Sequence, residues 1–207
     1  MGCCGKMICC GCYYADKMRQ IKGSFEQMCP FCRHITPSTA EEERKMILNR
    51  VEANDAFALF ELGDDLSKEG DIDATIKSWT KAAELGHGAA HFRLAMLYQQ
   101  GKGLDKDLKK GIHHLEQASI SGHPQARHNL GCLEMGFGRT ERAAKHFIIA
   151  SNLGLDKSMK SIRQMYAEGK VSKEVFATTL RSHQAALDAT KSVQRSEIAA
   201  LFRRRGI

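Results

Sequence analysis

The chain has 207 residues, 43% hydrophobic and 27% charged, with a formal net charge of +7. That composition belongs to a folded chain and excludes a disordered one, and no run approaches the roughly 20 apolar residues of a membrane-spanning helix. The excess charge sits at the ends: residues 1–37 carry +3, residues 191–207 carry +4, and between them 21 basic residues balance 21 acidic ones. No broad basic face is left for nucleic acid. The N-terminus lacks the apolar core of a secretory signal, so residence in the cytosol or nucleus is expected.

Seven of the eight cysteines lie between Cys3 and Cys32, with Cys132 alone outside. In a reducing compartment such crowding points to metal rather than disulfides. Cys9-x2-Cys12 and Cys29-x2-Cys32 stand sixteen residues apart. A two-residue gap lets both thiolates of a knuckle reach one metal, and zinc takes four ligands tetrahedrally. Residues 1–36 are therefore expected to form a small zinc-binding module. Cys29-Pro30-Phe31-Cys32 is also the pattern of a redox dithiol, but that fold needs a strand before the motif and a sheet after it. Here only 28 residues precede it and helical patterns follow. The opening Met1-Gly2-Cys3-Cys4 admits palmitoylation, while Lys6 stands where myristoylation wants Ser or Thr.

Residues 37–53 read as a connecting or capping helix. Ser38 and Thr39 each have a glutamate three residues on, Glu41 and Glu42, the spacing of a capping box. Residues 54–190 then repeat. Segments beginning at Ala58, Ala90, Ala126 and Ser158 each place an aliphatic residue four positions on, at Leu62, Leu94, Leu130 and Ile162, with spacings of 32, 36 and 32. Residues at i and i+4 share a helix face, so each segment predicts the first helix of a unit. A second helix follows, with Trp79, Leu115 or Phe147 three residues before Ala82, Ala118 or Ala150, and it ends at Gly86, Gly122 or Gly154. One such pair cannot bury its apolar face alone, so the units must stack. In the fourth unit Phe176 and Thr179 keep register, but Ala186 replaces the closing glycine and the helix runs on, as expected of a cap. Residues 191–207 read as a C-terminal helix with a basic tail, Arg203–Arg205.

The pattern Ala-x3-Leu-x2-(Leu/Met)-Tyr-x2-Gly, followed by Ala-Ala-x2-Gly, resembles the Sel1-like repeat family, a relative of TPR. The unit from Ala90 carries it most fully, including the loop Gly101-x-Gly103-x3-Asp107. The other units are four residues shorter there and so depart from the family's length. The resemblance implies an all-α, TPR-like α-α superhelical solenoid that binds a protein partner along a wall of first helices. Polar positions beside the core stripe are the candidates for that wall: His91, Arg93, Arg127, His128, Lys160 and Arg163. An ordinary solvated face is the alternative at each. No paired carboxylates and no serine–histidine–acid set stand out, so no catalytic residue is assigned. His113-His114 is not read as a metal pair, because adjacent helical residues point about 100° apart; one should pack and one should face solvent.

The head, with Cys3, Cys4, Cys9, Cys12, Cys29 and Cys32, resembles the second half of a RING-type zinc finger. It is most similar to RING-type heads fused to Sel1-like repeats in one large algal family, which share a segment like Gln125–Glu134. A RING holds two zincs in a cross-brace. The resemblance implies that Cys9 and Cys12 are the third ligand pair, Cys29 and Cys32 the fourth, and Cys3 and Cys4 the second. One zinc then has Cys3, Cys4, Cys29 and Cys32. The other has Cys9 and Cys12, with Cys10 or His34 to complete it. The family's first Cys-x2-Cys pair has no counterpart before Cys3. Either the true chain is longer, or the head is a decayed RING that holds one zinc or none. A whole RING implies ubiquitin ligase activity, exerted by gripping a conjugating enzyme, with Pro30 and Arg33 at the contact positions. The expected function is a non-catalytic protein-interaction scaffold with a zinc-binding head. The alternative is a RING-type ubiquitin ligase whose repeats recruit the substrate.

Overall fold

Thr39 takes up an amide that the first turn of a helix leaves without a partner: its hydroxyl oxygen accepts from the Glu42 N–H at 3.2 Å. Three glutamates then fill the first turn of α1 (Ala40–Glu52), at the positive end of the helix dipole. The computed structural model describes Asp16, Met18, Met28, Cys29, residues 35–37 and 39–191, Ser196 and Ala200. Residues 39–191 form nine α-helices, and an isolated antiparallel bridge joins Met28 and Ile35. The chain divides into two compact units, one of Met1–Ala58 with Thr190–Ile207 and one of Leu59–Ala189. Most of the C-terminal helix and the basic tail expected after Lys191 lie outside the described residues.

In the first unit Asp55 closes the turn after α1. Its carboxylate accepts from the Phe57 and Ala58 amides at 2.9 and 3.1 Å and from the Arg50 guanidinium at 2.9 Å. Burial opposes the Asp55 charge, but the Ala58 amide and the Arg50 guanidinium outweigh it and hold the carboxyl below its ordinary range.

Eight helices run into and through the second unit as four pairs: α2 (Ala56–Glu69) with α3 (Ile72–Glu84), α4 (Gly88–Gln100) with α5 (Leu108–Ile120), α6 (Pro124–Gly136) with α7 (Thr140–Asn152), and α8 (Asp156–Ala167) with α9 (Lys173–Ala189). The small residues that open the repeat pattern, Ala58, Ala90, Ala126 and Ser158, are fully buried. Within a pair, the large residue of the second helix presses on a small residue of the first. Gly63 faces Trp79, and a Cβ at Gly63 would collide with the indole. Gly131 faces Phe147, and a Cβ there would lie 2.6 Å from Phe147 Cε1. The middle pair holds Ala95 and Leu115 at these positions, both fully buried in one apolar cluster. A smaller residue on one helix admits a larger one on the other, so the interhelical volume is conserved while its division varies.

The connection between units repeats three times. After α3, the Gly86 N–H donates to the Ala83 carbonyl at 2.7 Å and the His87 N–H to the Ala82 carbonyl at 3.0 Å. This is the Schellman closure, and it needs the left-handed Gly86, at φ 84°. Gly122 and Gly154 close α5 and α7 with the same pair of bonds. His87 and His123 then cap the next helix, their Nδ1 atoms accepting from the Ala90 and Ala126 amides at 3.3 Å. Phe60 and Phe92 of the preceding unit stack on these imidazoles at 4.6 Å. Leu155 takes the cap position before α8 and supplies no side-chain bond. At the far end His183 on α9 is buried at 6% exposure, with Nδ1 2.8 Å from the Ser151 carbonyl and Nε2 3.0 Å from Asp156 Oδ1.

Candidate functional site

Repeat geometry sorts the wall candidates by position rather than by polarity. Residues two, three and six places after the small residue of each first helix meet across neighbouring first helices. Arg93 Nη2 lies 3.5 Å from Asp64 Oδ2, and Asn129 Nδ2 lies 3.8 Å from Met96 Sδ. The Arg93 guanidinium also stands 5.8 Å from the Trp79 ring centroid. His128 and the exposed Lys160 occupy the position of Phe60 and Phe92 on the same face. His91 and Arg127 occupy the position of Leu59 and Met159, which are 3% and 4% exposed, so they turn toward second helices. Arg163 is exposed on α8, at the position that Gly63 and Gly131 fill in earlier units.

His128 joins two units. Its Nδ1 lies 2.9 Å from Ser158 Oγ on α8, and its Nε2 lies 3.6 Å from Sγ of Cys132, one turn on in α6. Ser158 is fully buried, whereas Cys132 is exposed. Burial lowers the His128 pKa, and the Lys157 charge lowers it further. Burial raises the Cys132 thiol pKa. The thiol is therefore poorly ionised and the imidazole a weak base, which is the reverse of an activated cysteine nucleophile.

His91 Nδ1 lies 2.9 Å from His114 Nδ1 on α5, and the His114 ring stacks on Tyr98 at 5.6 Å. His113 is exposed and His114 half-buried, as their 100° offset requires. Burial and the two neighbouring imidazoles push the His114 pKa down to about 4. On the second-helix side, a cleft of about 560 Å³ opens between α5, α6 and α7, lined among others by Ile120, Arg127, Phe137 and His146. Its His146 Nδ1 is buried without a hydrogen-bond partner among the described residues.

Among the described residues no three His, Cys, Asp or Glu side chains come together to hold a metal. Of the head's candidate ligands only Cys29 is described: it is 2% exposed, and the Met28–Ile35 bridge brackets the Cys29–Cys32 segment in sequence. Cys3, Cys4, Cys9, Cys12 and Cys32, and the contact candidates Pro30 and Arg33, lie outside the described residues. Periodicity and polarity did not mark the His128–Cys132 contact, for which the His128-x3-Cys132 spacing is the signal, nor the His128–Ser158 contact or the second-helix cleft, for which no local pattern exists.

The Sel1 repeat profile matches residues 56–87, 88–123 and 124–155, the first three helix pairs. Residues 56–155 are Sel1 repeats. No match is found among curated proteins. Two solved structures share the Sel1 repeat fold. One is c5321, a protective antigen present in uropathogenic Escherichia coli strains displaying an SLR fold, with TM-score 0.59 and 22% identity over 78% of this chain and 36% of that one. The other is a Sel1 repeat protein from Oxalobacter formigenes, with TM-score 0.59 and 22% identity over 84% of this chain and 71% of that one. The present chain thus spans little more than a third of c5321. At such identity the likeness is one of fold. Among the described residues no helix is long and apolar enough to cross a membrane.

Proposed function

We propose that the Sel1 repeats are a protein-interaction scaffold whose binding surface is the face shared by successive first helices. The observation that carries this reading is the row of side chains bridging neighbouring first helices, Asp64 with Arg93 and Met96 with Asn129. These positions are set by the repeat but differ in chemistry from unit to unit, so the backbone stays constant while the surface changes. Lys160 and Gln164 extend the row and are exposed. Changing Lys160→Glu with Gln164→Glu should abolish crosslinking to the partner and leave the melting temperature unchanged. Lys145→Glu, exposed on a second helix, should leave crosslinking intact. Equal loss in both would place the binding surface elsewhere.

The head is read as a zinc-binding module that uses Cys3, Cys4, Cys9, Cys12, Cys29 and Cys32, and the burial of Cys29 next to a strand-like bridge supports it. Zinc there would clamp the head segments, which are too short to build a sizeable core of their own. A module holding two zincs favours the ligase reading, in which Pro30 and Arg33 contact a conjugating enzyme and the repeats present the substrate. Zinc content measured with Cys132→Ser present, which leaves only the head to bind metal, decides between the readings in the presence and absence of Cys29→Ser. Two zincs per chain support the cross-brace. One, lost in the variant, supports a half-module serving the scaffold. None removes zinc from the head.

A further inference from the structure

The four first helices carry matched residues two and six places after their small residue: Phe60 and Asp64, Phe92 and Met96, His128 and Cys132, Lys160 and Gln164. These pairs lie one helical turn apart on one face, and only the third unit fills both positions with nitrogen and sulfur donors. We propose that His128 and Cys132 form a two-point clamp for a thiophilic divalent cation of the zinc class, on the first-helix face of the third Sel1 repeat.

Three features carry the assignment. Zinc bonds of about 2.3 Å to sulfur and 2.0–2.1 Å to imidazole nitrogen, at the tetrahedral angle, hold the two donors about 3.6 Å apart. His128 Nε2 and Cys132 Sγ already stand 3.6 Å apart. Ser158 Oγ lies 2.9 Å from His128 Nδ1 in a fully buried position, so in the tautomer protonated at Nδ1 it accepts that proton and leaves the Nε2 lone pair toward Cys132; outer-sphere bonds of this kind orient most metal-binding histidines. Finally, the site is open. Cys132 is exposed, so a cation reaches it without unfolding, and its remaining positions are left to water or to a donor on a bound partner.

The chemistry balances simply. The cation bonds to His128 Nε2 and to Cys132 Sγ, and the thiol proton leaves to solvent. Burial favours the neutral thiol while no metal is present, and a bound cation supplies the positive charge that the thiolate needs.

Alkylation resolved by peptide mass spectrometry tests the site in the full chain, because it reads Cys132 separately from the head cysteines. Zinc should slow iodoacetamide labelling of Cys132, because the thiolate is the nucleophile and the metal takes it up as a ligand. In His128→Gln, Cys132 should stay reactive while zinc protection disappears. In Ser158→Ala, protection should persist but need about tenfold more zinc. Adding zinc in excess of all the head cysteines and reading only the Cys132 peptide keeps the result independent of metal in the head. Labelling unaffected by zinc, or equally slowed in His128→Gln, would overturn the clamp.

Discussion

Gly131 and Phe147 show how one atom sets the division of volume between two helices. A Cβ at position 131 would lie 2.6 Å from Phe147 Cε1, inside any tolerable carbon contact. The aromatic ring cannot retreat, because it is 3% exposed in a cluster with Met159 and Ile162. Gly131→Ala should therefore destabilise by about 1–3 kcal/mol, although alanine is the better helix former by about 1 kcal/mol. The middle repeat already contains the remedy, Ala95 with Leu115. Adding Phe147→Leu to Gly131→Ala should recover much of the loss, seen as a positive coupling in a urea-denaturation double-mutant cycle; additive losses would refute the complementarity. Trp79, Leu115 and Phe147 were legible in the sequence as the large residue of each second helix. Their glycine partners were not, because a mid-helix glycine reads as a weak point until the facing ring is seen.

At the scale of whole helices, the closing glycines and the decay of the fourth unit were both readable from periodicity. What holds α9 in place was not. His183 bonds to Ser151 and Asp156, 32 and 27 residues earlier in the chain, a separation no local pattern reports. Its imidazole fills a buried site against the glycine-closed turn between α7 and α8. His183→Ala removes both bonds and opens a void beside Ser151, whose carbonyl keeps the Gly154 amide, a loss of about 1–3 kcal/mol. Hydrogen exchange should show α9 losing protection first while α4 and α5 keep theirs. Uniform loss across the repeats would mean that α9 does not open as a separate element. Polarity selected His91 and Arg127 for the wall; both take the repeat position of the buried Leu59 and Met159, His91 meeting His114 on α5 and Arg127 lining the second-helix cleft.

Across the second unit, histidine is a building material, and that gives the Sel1 repeats a common pH response. His123 caps α6 through an Nδ1 that must stay unprotonated to accept the Ala126 amide. His91 and His114 share one hydrogen bond between two Nδ1 atoms, which protonation of both would break. Burial lowers the pKa of all three, with Arg93 and His87 adding to the effect at His123, His113 at His91, and His91 and His113 at His114, which is brought to about 4. The unfolded chain takes up these protons near pH 6.5, as free imidazole does. Above that pH the contribution to stability is complete. As pH falls below about 6.5 the unfolded state binds protons that the folded state refuses, and stability declines until the depressed values are reached. The rings are only half-buried, so solvent screening cuts the combined effect to about 1–2 kcal/mol, or roughly 5 °C in Tm between about pH 7.5 and pH 5. His114→Gln keeps a hydrogen-bonding side chain but removes the most depressed titration, so its Tm should vary less steeply over that range. A parent Tm that stays flat there would mean that the buried rings protonate without cost, and the capping and pairing roles given to them would fall together.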